Sequence, residues 1–327
     1  MTHIYQLHKL QFHYKDHLAL SLDKLTIQAE KTTALVGDNG SGKSTLLNLL
    51  AFLERPTQGE LFFQGQKVNQ TRLTQYRRRV GFLVQKPFML QGTVVDNIHL
   101  ALKIQGQKQA AEKIRRVLKR LDIQHCAQSQ AKKLSGGELQ KAALARILVL
   151  EPEVLLLDEP FSYLDQSSAQ ALEDFLRDYT QQSGCSLVFS THDRLQGFAL
   201  ADEVLALAKG QRVLTPLINL LHGKVVGNEF HTGAMRIILS NALSKAQHAS
   251  INPQDIVLSL DALVSSMRNH FQGRVVLISE EGGSVCVNVD TGVIFQVLIT
   301  YQALAELNIK LGDKIWLNFK SNAVLVF

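Results

Sequence analysis

GDNGSGKST, residues 37–45, is the stretch on which the fold of this chain turns. It sets glycine at 37, 40 and 42 ahead of Lys43, Ser44 and Thr45. The spacing is G-x-x-x-x-G-K-[ST], a phosphate-holding loop that requires a strand before it and a helix after it. Both are legible. TTALVG (32–37) is a short apolar run that ends at glycine, and Lys43 to Leu53 carries Leu46, Leu47, Leu49 and Leu50 in a helical stripe. Glycines let the backbone curl so that successive N–H groups point inward, and the start of the helix adds its positive end. Gly37, Asn39, Gly40, Ser41, Gly42 and Thr45 are expected to form the cradle. Lys43 is expected to reach the β- and γ-phosphates, and Ser44 to ligate Mg²⁺. A plain glycine turn before a helix is the alternative. The agreement of strand, loop, lysine and helix speaks against it.

VLLLDEP (154–160) supplies the complement. Its apolar residues bury a strand and deliver two acids at the exit. Asp158 suits Mg²⁺, acting through its water shell, and Glu159 suits polarising an attacking water. An apolar run ending in Asp-Glu carries little weight alone. It carries much more beside a phosphate loop.

The bulk composition bounds the rest. At 327 residues the chain is long enough for two domains. The net charge is +6, and eight basic and eight acidic residues follow Thr215, so the whole excess lies before that point. An excess this small does not argue for nucleic acid. The cysteines Cys126, Cys185 and Cys286 have no metal-ligand spacing and suit a reducing compartment. MTHIYQLHKL lacks a signal pattern, and no apolar run is long enough to span a membrane. In a transport role, other subunits would have to form the pore.

Further along, RPTQGEL (55–61) reads as a turn, VGFLVQ (80–85) as a short strand and 94–124 as mainly helical. A helix is expected from about Gly137 to Leu150, and SLVFSTHD (186–193) opens as another buried strand. Strands alternating with helices predict an α/β domain with a mostly parallel sheet. Near 210–216 the pattern changes. KVVG, RIIL, DIVLSL, GRVVLI, SVCVNVD, VIFQVLIT, KIWLNF and AVLVF alternate at short spacing, broken by one helical stretch, TYQALAEL. That is the pattern of a small all-β barrel. The expected domains are 1–212, with a helical part at about 86–150, and 215–327, divided into strand sets at 215–262 and 263–327.

LSGGE (134–138) narrows the class. With it, the chain resembles the ATP-binding subunit of an ATP-binding-cassette (ABC) importer. The resemblance covers residues 4–212. It implies an ATPase that uses ATP and Mg²⁺ as a homodimer, with Ser135, Gly136 and Gly137 meeting the ATP held by the other copy. Ser135 with Glu138 also reads as a helix N-cap, and both readings can hold. By the same resemblance, Gln85 in GFLVQKP contacts Mg²⁺ and water, Asp165 in SYLD crosses the dimer interface, His192 in STHD lies near the γ-phosphate and Tyr14 stacks on adenine. Tyr14 also reads as a core aromatic. Three positions depart from the usual wording: Asp38 in the loop, Glu138 for glutamine and Lys141 for arginine.

The C-terminal segment resembles the Mop or TOBE barrel of such importers, with Ser266, Arg268 and Asn269 in SSMRN and Lys320 and Ser321 near the end. Hydroxyls, an amide and cations suit a tetrahedral oxyanion. A strand cap and plain surface charge are the alternative. Extended wording, such as LLNLLAFLERPTQGEL, is similar to ATPases of tungstate importers. The resemblance implies import of an oxyanion, tungstate or molybdate, energised from the cytoplasmic face of the membrane. Transmembrane permease subunits and, indirectly, a solute-binding protein are the implied partners. Sulfate, phosphate or metal importers are the alternatives. A soluble ABC ATPase acting on nucleic acid or ribosomes is disfavoured by a lone cassette and the absence of heptads.

Overall fold

The computed structural model describes residues 3–107, 111–192, 194–213, 217–241, 246–263, 265–281 and 283–327. It forms two compact units, Met1–Thr215 and Pro216–Phe327. Residues 214–216, where the change of pattern ends, lie outside the described residues.

The first unit opens with β1 (His3–Tyr14), β2 (His17–Gln28), β3 (Thr32–Val36) and α1 (Lys43–Leu50). There follow β4 (Gln58–Phe63), β5 (Gln66–Lys67), α2 (Leu73–Arg77), β6 (Val80–Leu83), α3 (Val94–Ile104), α4 (Ala111–Arg120) and α5 (Gly136–Leu148). It closes with β7 (Val154–Asp158), α6 (Gln166–Ser183), β8 (Ser186–Thr191), α7 (Arg194–Leu200), β9 (Glu203–Ala208) and β10 (Gln211–Val213). The central sheet runs β10-β9-β3-β8-β7-β6, parallel except for the β10–β9 pair.

Strand periodicity divides the core. Ala34, Val36, Leu155, Leu157, Leu187 and Phe189 face one side of the sheet, where α3, α4, α5 and α6 pack. Leu35, Val154, Leu156 and Val188 face the other, against α1 and the antiparallel sheet β2-β1-β4-β5. Residues two apart share a face, so a strand buried on both sides has to be apolar throughout. This is why β3, β7 and β8 are buried at every position and carry the apolar runs Ala34–Val36, Val154–Leu157 and Leu187–Phe189.

Several elements differ from expectation. The first helix ends at Leu50 rather than Leu53, because Phe52 turns left-handed (φ 58°) to bury its ring against Tyr5 and Phe63. RPTQGEL is only half a turn: from Gln58 it is strand, since Leu61 and Phe63 are needed in the core. In β1 the buried positions change phase between Leu7 and Leu10, where Lys9 takes φ 46° and the register to β4 slips. That bulge hides the alternation from a sequence reading. The long polar α6 was also unforeseen, although Leu172, Leu176 and Tyr179 line its buried face at helical spacing.

The second unit holds β11 (Asn219–His222), β12 (Lys224–Val226), β13 (Glu229–His231), β14 (Arg236–Ile238), β15 (His248–Ile251) and β16 (Val257–Ser259). It continues with β17 (Asn269–Glu281), β18 (Ser284–Asp290), β19 (Ile294–Ile299), α8 (Tyr301–Leu307), β20 (Lys314–Phe319) and β21 (Val324–Val326). The expected division at 262/263 is corrected. β15 pairs with β21 and β16 pairs with β20, so strands from both sides of that point share two sheets. They also share one core, in which Phe230, Ile237 and Ile251 accompany Val287, Phe295 and Phe319. Neither strand set could bury its apolar face alone.

Candidate active site

Parallel pairing brings the chemistry to one edge. Val36 is opposite Thr191, Asp158 is opposite Ser190, and Leu83 is opposite Leu157. The residues just beyond β3, β6, β7 and β8 therefore leave the sheet together, at the carboxyl ends where open α/β sheets place ligands. A cleft of about 510 Å³ lies there, lined by Tyr14, His17, Ala19, residues 39–45, Gln85 and Glu159. All of the expected loop residues from Asn39 to Thr45 line it, joined by the expected Tyr14, Gln85 and Glu159.

The loop is built to receive an anion. At Gly37 any Cβ would sit 2.2 Å from the Leu207 carbonyl oxygen, so no other residue fits. Gly40 takes φ 77° and Gly42 φ 103°, left-handed conformations that glycine adopts without strain. Lys43 is buried, and its Nζ donates to the Gly37 and Asp38 carbonyl oxygens at 2.7 and 3.0 Å. Burial pulls its pKa down, opposed by the charges of Glu159, Asp158 and Asp38. A buried ammonium held by loop carbonyls has strong reason to prefer a phosphate. The Ser41 hydroxyl is buried without a partner, which also suits an incoming acceptor. Asp38 is exposed, so its charge is solvated. Ser44 is exposed at the cleft.

The acids are more tightly held. Ser190 Oγ donates to Asp158 Oδ1 (2.5 Å) and accepts from the Glu159 backbone N–H (2.9 Å). Ser162 Oγ donates to the Glu159 carbonyl at 2.9 Å. Glu159 has φ 49°, a strained backbone for a residue with a Cβ, and these bonds fix it. Its carboxylate is buried, and Oε2 lies 2.8 Å from His192 Nδ1. Of the three residues expected to be catalytic, Glu159, His192 and Gln85, the first two form a hydrogen-bonded pair. Ser190 and Ser162 escaped the sequence reading. Ser190 was legible only through its place two residues before His192. Gln140 was missed as well: its Nε2 donates to the Pro160 carbonyl at 3.0 Å, tying α5 to the exit of the acid-bearing strand.

Tyr14 is 45% exposed and meets Phe12 edge-on, with ring centroids 4.7 Å apart. Phe12 fills the core while Tyr14 presents a free face at the cleft.

Ser135, Gly137 and Asp165 lie together on another surface, with His125, Glu138 and Tyr163. The cap reading holds. Ser135 Oγ accepts from the Glu138 N–H, and Glu138 Oε2 accepts from the Ser135 N–H at 2.8 Å. Hydrogen bonds from Ser135, Cys126 and His125 hold the Glu138 pKa down at about 2. Burial, reinforced by Glu138, pushes the Cys126 thiol up to about 11. Gly136 and Gly137 open α5, and a Cβ on Gly137 would meet Leu164 at 3.1 Å. Asp165 caps α6 by accepting from the Ser168 N–H at 2.7 Å. That bond is the main cause holding its pKa down.

In the second unit, Asn269 pairs with Phe319, which makes Arg268 and Lys320 the next positions outward on neighbouring strands. Ser266, Arg268 and Lys320 are exposed and Ser321 is half-buried. Asn269 departs from expectation. It is 2% exposed; its side-chain oxygen accepts from the Ile238 N–H at 2.7 Å, and its amide donates to the Ile238 carbonyl at 3.0 Å. It extends β14 by side-chain pairing and is withdrawn from the oxyanion group.

Comparison with known proteins finds a family match within each unit. Residues 20–162 match the ABC transporter family and residues 265–326 the TOBE domain. A molybdate/tungstate import ATP-binding protein of Pyrococcus horikoshii is 30% identical over 90% of this chain and 91% of its own length. The same-named protein of Pyrococcus abyssi is 29% identical over 96% and 98%. A sulfate/thiosulfate import ATP-binding protein of Agrobacterium fabrum is 40% identical, over 59% of this chain and 57% of its own. Among solved structures, a dimeric bacterial ABC transporter cassette superposes with a TM-score of 0.60 at 26% identity, covering 64% of this chain and 97% of that one. The chain belongs to the ABC transporter family, as an ATP-binding ATPase that carries a TOBE domain.

Proposed function

We propose that this ATPase energises import of an oxyanion, tungstate or molybdate, through separate membrane permease subunits. The observation that carries the catalytic half is the cleft in which Lys43, Gln85 and Glu159 converge, with His192 bonded to Glu159. The oxyanion half is supported by the two Pyrococcus relatives, whose likeness runs through both units of the chain.

In this reading Tyr14 stacks on the adenine and residues 37–45 wrap the phosphates. Lys43 moves from its own loop carbonyls to the β- and γ-phosphates. Glu159 accepts hydrogen from the attacking water, and His192 steadies the Glu159 carboxylate near the γ-phosphate. Ser44 and Gln85 would hold Mg²⁺ directly and Asp158 through its water shell, since a hydroxyl, an amide oxygen and water are the oxygen donors that ion takes. When bound, Mg²⁺ neutralises phosphate charge. Ser135, Gly136 and Gly137 offer N–H groups and a hydroxyl to ATP on a second copy, and Asp165 lies beside that contact. Closure of such a homodimer is the working stroke. It reaches the permease through the exposed Phe88 and Leu90 that follow Gln85; Phe88 is 62% exposed. The chain then works in the cytoplasm, on the inner face of the membrane. In the TOBE domain, Ser266, Arg268, Lys320 and Ser321 are the groups for an oxyanion.

Sulfate is the second reading, favoured by the higher identity of the sulfate/thiosulfate relative over its shorter match. The deciding experiment reconstitutes the chain with its permease. ATPase stimulation by a binding protein loaded with tungstate or molybdate is expected. Stimulation by sulfate alone would select the second reading, and none by any oxyanion would end both.

A further inference from the structure

His125, Cys126 and Glu138 converge on one point at the start of α5. Glu138 Oε1 lies 3.1 Å from Cys126 Sγ and 3.2 Å from His125 Nε2, and the three ligand atoms lie within 4.8 Å of one another. We propose that this trio is a binding site for a zinc-class divalent cation, outside the nucleotide cleft.

The geometry fits the chemistry. A tetrahedral zinc with bonds of about 2.0–2.3 Å holds its ligands about 3.3–3.6 Å apart. The two pairs that include Glu138 Oε1 are already near that spacing, and the Cys126–His125 pair, within 4.8 Å, has only to close inward by side-chain rotation. A sulfur, an imidazole nitrogen and one carboxylate oxygen are the mixed set that zinc accepts, whereas Mg²⁺ and Ca²⁺ demand oxygen throughout. Three protein ligands leave the fourth position to water.

Access and orientation are provided for. Cys126 comes from the buried side and His125 from the exposed side, so an ion can enter past the imidazole. Glu138 divides its oxygens: Oε2 is fixed by the Ser135 N–H and hydroxyl at 2.8 and 2.7 Å, which aims Oε1 at the other two groups. Outer hydrogen bonds of this kind hold a metal ligand in place. On binding, the Cys126 thiol gives up its proton to solvent. The His125 ring keeps its proton on Nδ1 and offers the Nε2 lone pair. The ion's two positive charges then cancel thiolate and carboxylate, so the lone negative charge of Glu138 disappears from the first turn of α5.

The test is a cobalt(II) titration of the full chain, nucleotide-free and reduced. A single equivalent should give the thiolate-to-cobalt near-ultraviolet band and tetrahedral visible absorption, and zinc should bleach both. Mg²⁺ in excess should not. Cys126→Ser should lose the band, while Cys185→Ser and Cys286→Ser keep it. If Cys126→Ser folds poorly, His125→Ala changes an exposed side chain and should still lose the tetrahedral signal. No thiolate band, or a band that survives Cys126→Ser or His125→Ala, overturns the site.

Discussion

Two of the places where the sequence leads one to expect an anion are built differently. In the nucleotide cleft, Lys43 and Glu159 are buried and bonded to their neighbours, and Glu159 sits in a strained backbone. At the lip of the TOBE domain, Ser266, Arg268 and Lys320 are exposed, and the one buried member, Asn269, is bonded to Ile238. Groups held out of water interact strongly with a ligand and lose much if left unpaired. Solvated cations do neither. The difference teaches that residue type suggests a site, while burial and restraint decide how much a site can do.

That contrast breaks first at its strong end. Glu159→Gln should lower the ATPase turnover by about 10²–10⁴ while ATP still binds and the chain still dimerises. Steady-state turnover and nucleotide titration on the same sample check it, and near-normal turnover would overturn the assignment of the water-polarising group. Next comes Asn269→Ala. It strands the Ile238 N–H and carbonyl, each bonded by the amide at 2.7 and 3.0 Å. A buried group left unpaired costs about 1–3 kcal/mol, so calorimetry should show a clear loss of stability. A variant as stable as the parent would mean that Asn269 is free to serve a ligand after all.

The phosphate loop was legible because its geometry is local. Nine consecutive residues, 37–45, specify strand exit, turn and helix start, and the parallel sheet carries the other groups to the same edge. The restraint around Glu159 was not legible. Ser190 reaches Asp158 across a strand pair and Gln140 reaches Pro160 from another helix, and neither contact follows from spacing along the chain. In the second unit the strands were readable but their partners were not. Pairing β16 with β20 joins residues far apart in sequence, and short strands carry little register information. For the same reason Asn269 looked like a ligand: nothing near it in sequence reveals Ile238. Cys126 read as lacking metal-ligand spacing, and His125 drew no notice, because the third partner lies across a loop, at Glu138.

A smaller effect probes the edge between the two extremes, where a solvated group is nonetheless restrained. Glu138 has its pKa lowered to about 2 by hydrogen bonds from Ser135. A depressed carboxylate stabilises the fold fully above its unfolded value, ordinarily about 4.3. That contribution fades as pH falls and is gone below the folded value. The capping box at α5 should therefore persist through mild acid and be lost only as pH falls through about 2. Amide exchange at Ser135 and Glu138 would follow it. A cap lost already at the ordinary glutamate range would show that the bonds to Ser135 are not formed in solution.

The smallest expected effect on stability is also the sharpest question about the weak end. Arg268→Ala and Lys320→Ala remove exposed charges, so each should change stability by no more than about 0.5 kcal/mol. The two positions are the next ones outward from the last pair of the β17–β20 ladder, Asn269 with Phe319. A tetrahedral oxyanion would meet both, and losing either should abolish a calorimetric signal with tungstate or molybdate. Binding lost while stability is kept would place an anion site on groups with no structural duty, in contrast to the buried and bonded groups of the cleft. If the parent chain gives no heat with tungstate, molybdate or sulfate, the lip is surface charge, and the TOBE domain serves the ATPase by some means other than sensing its cargo.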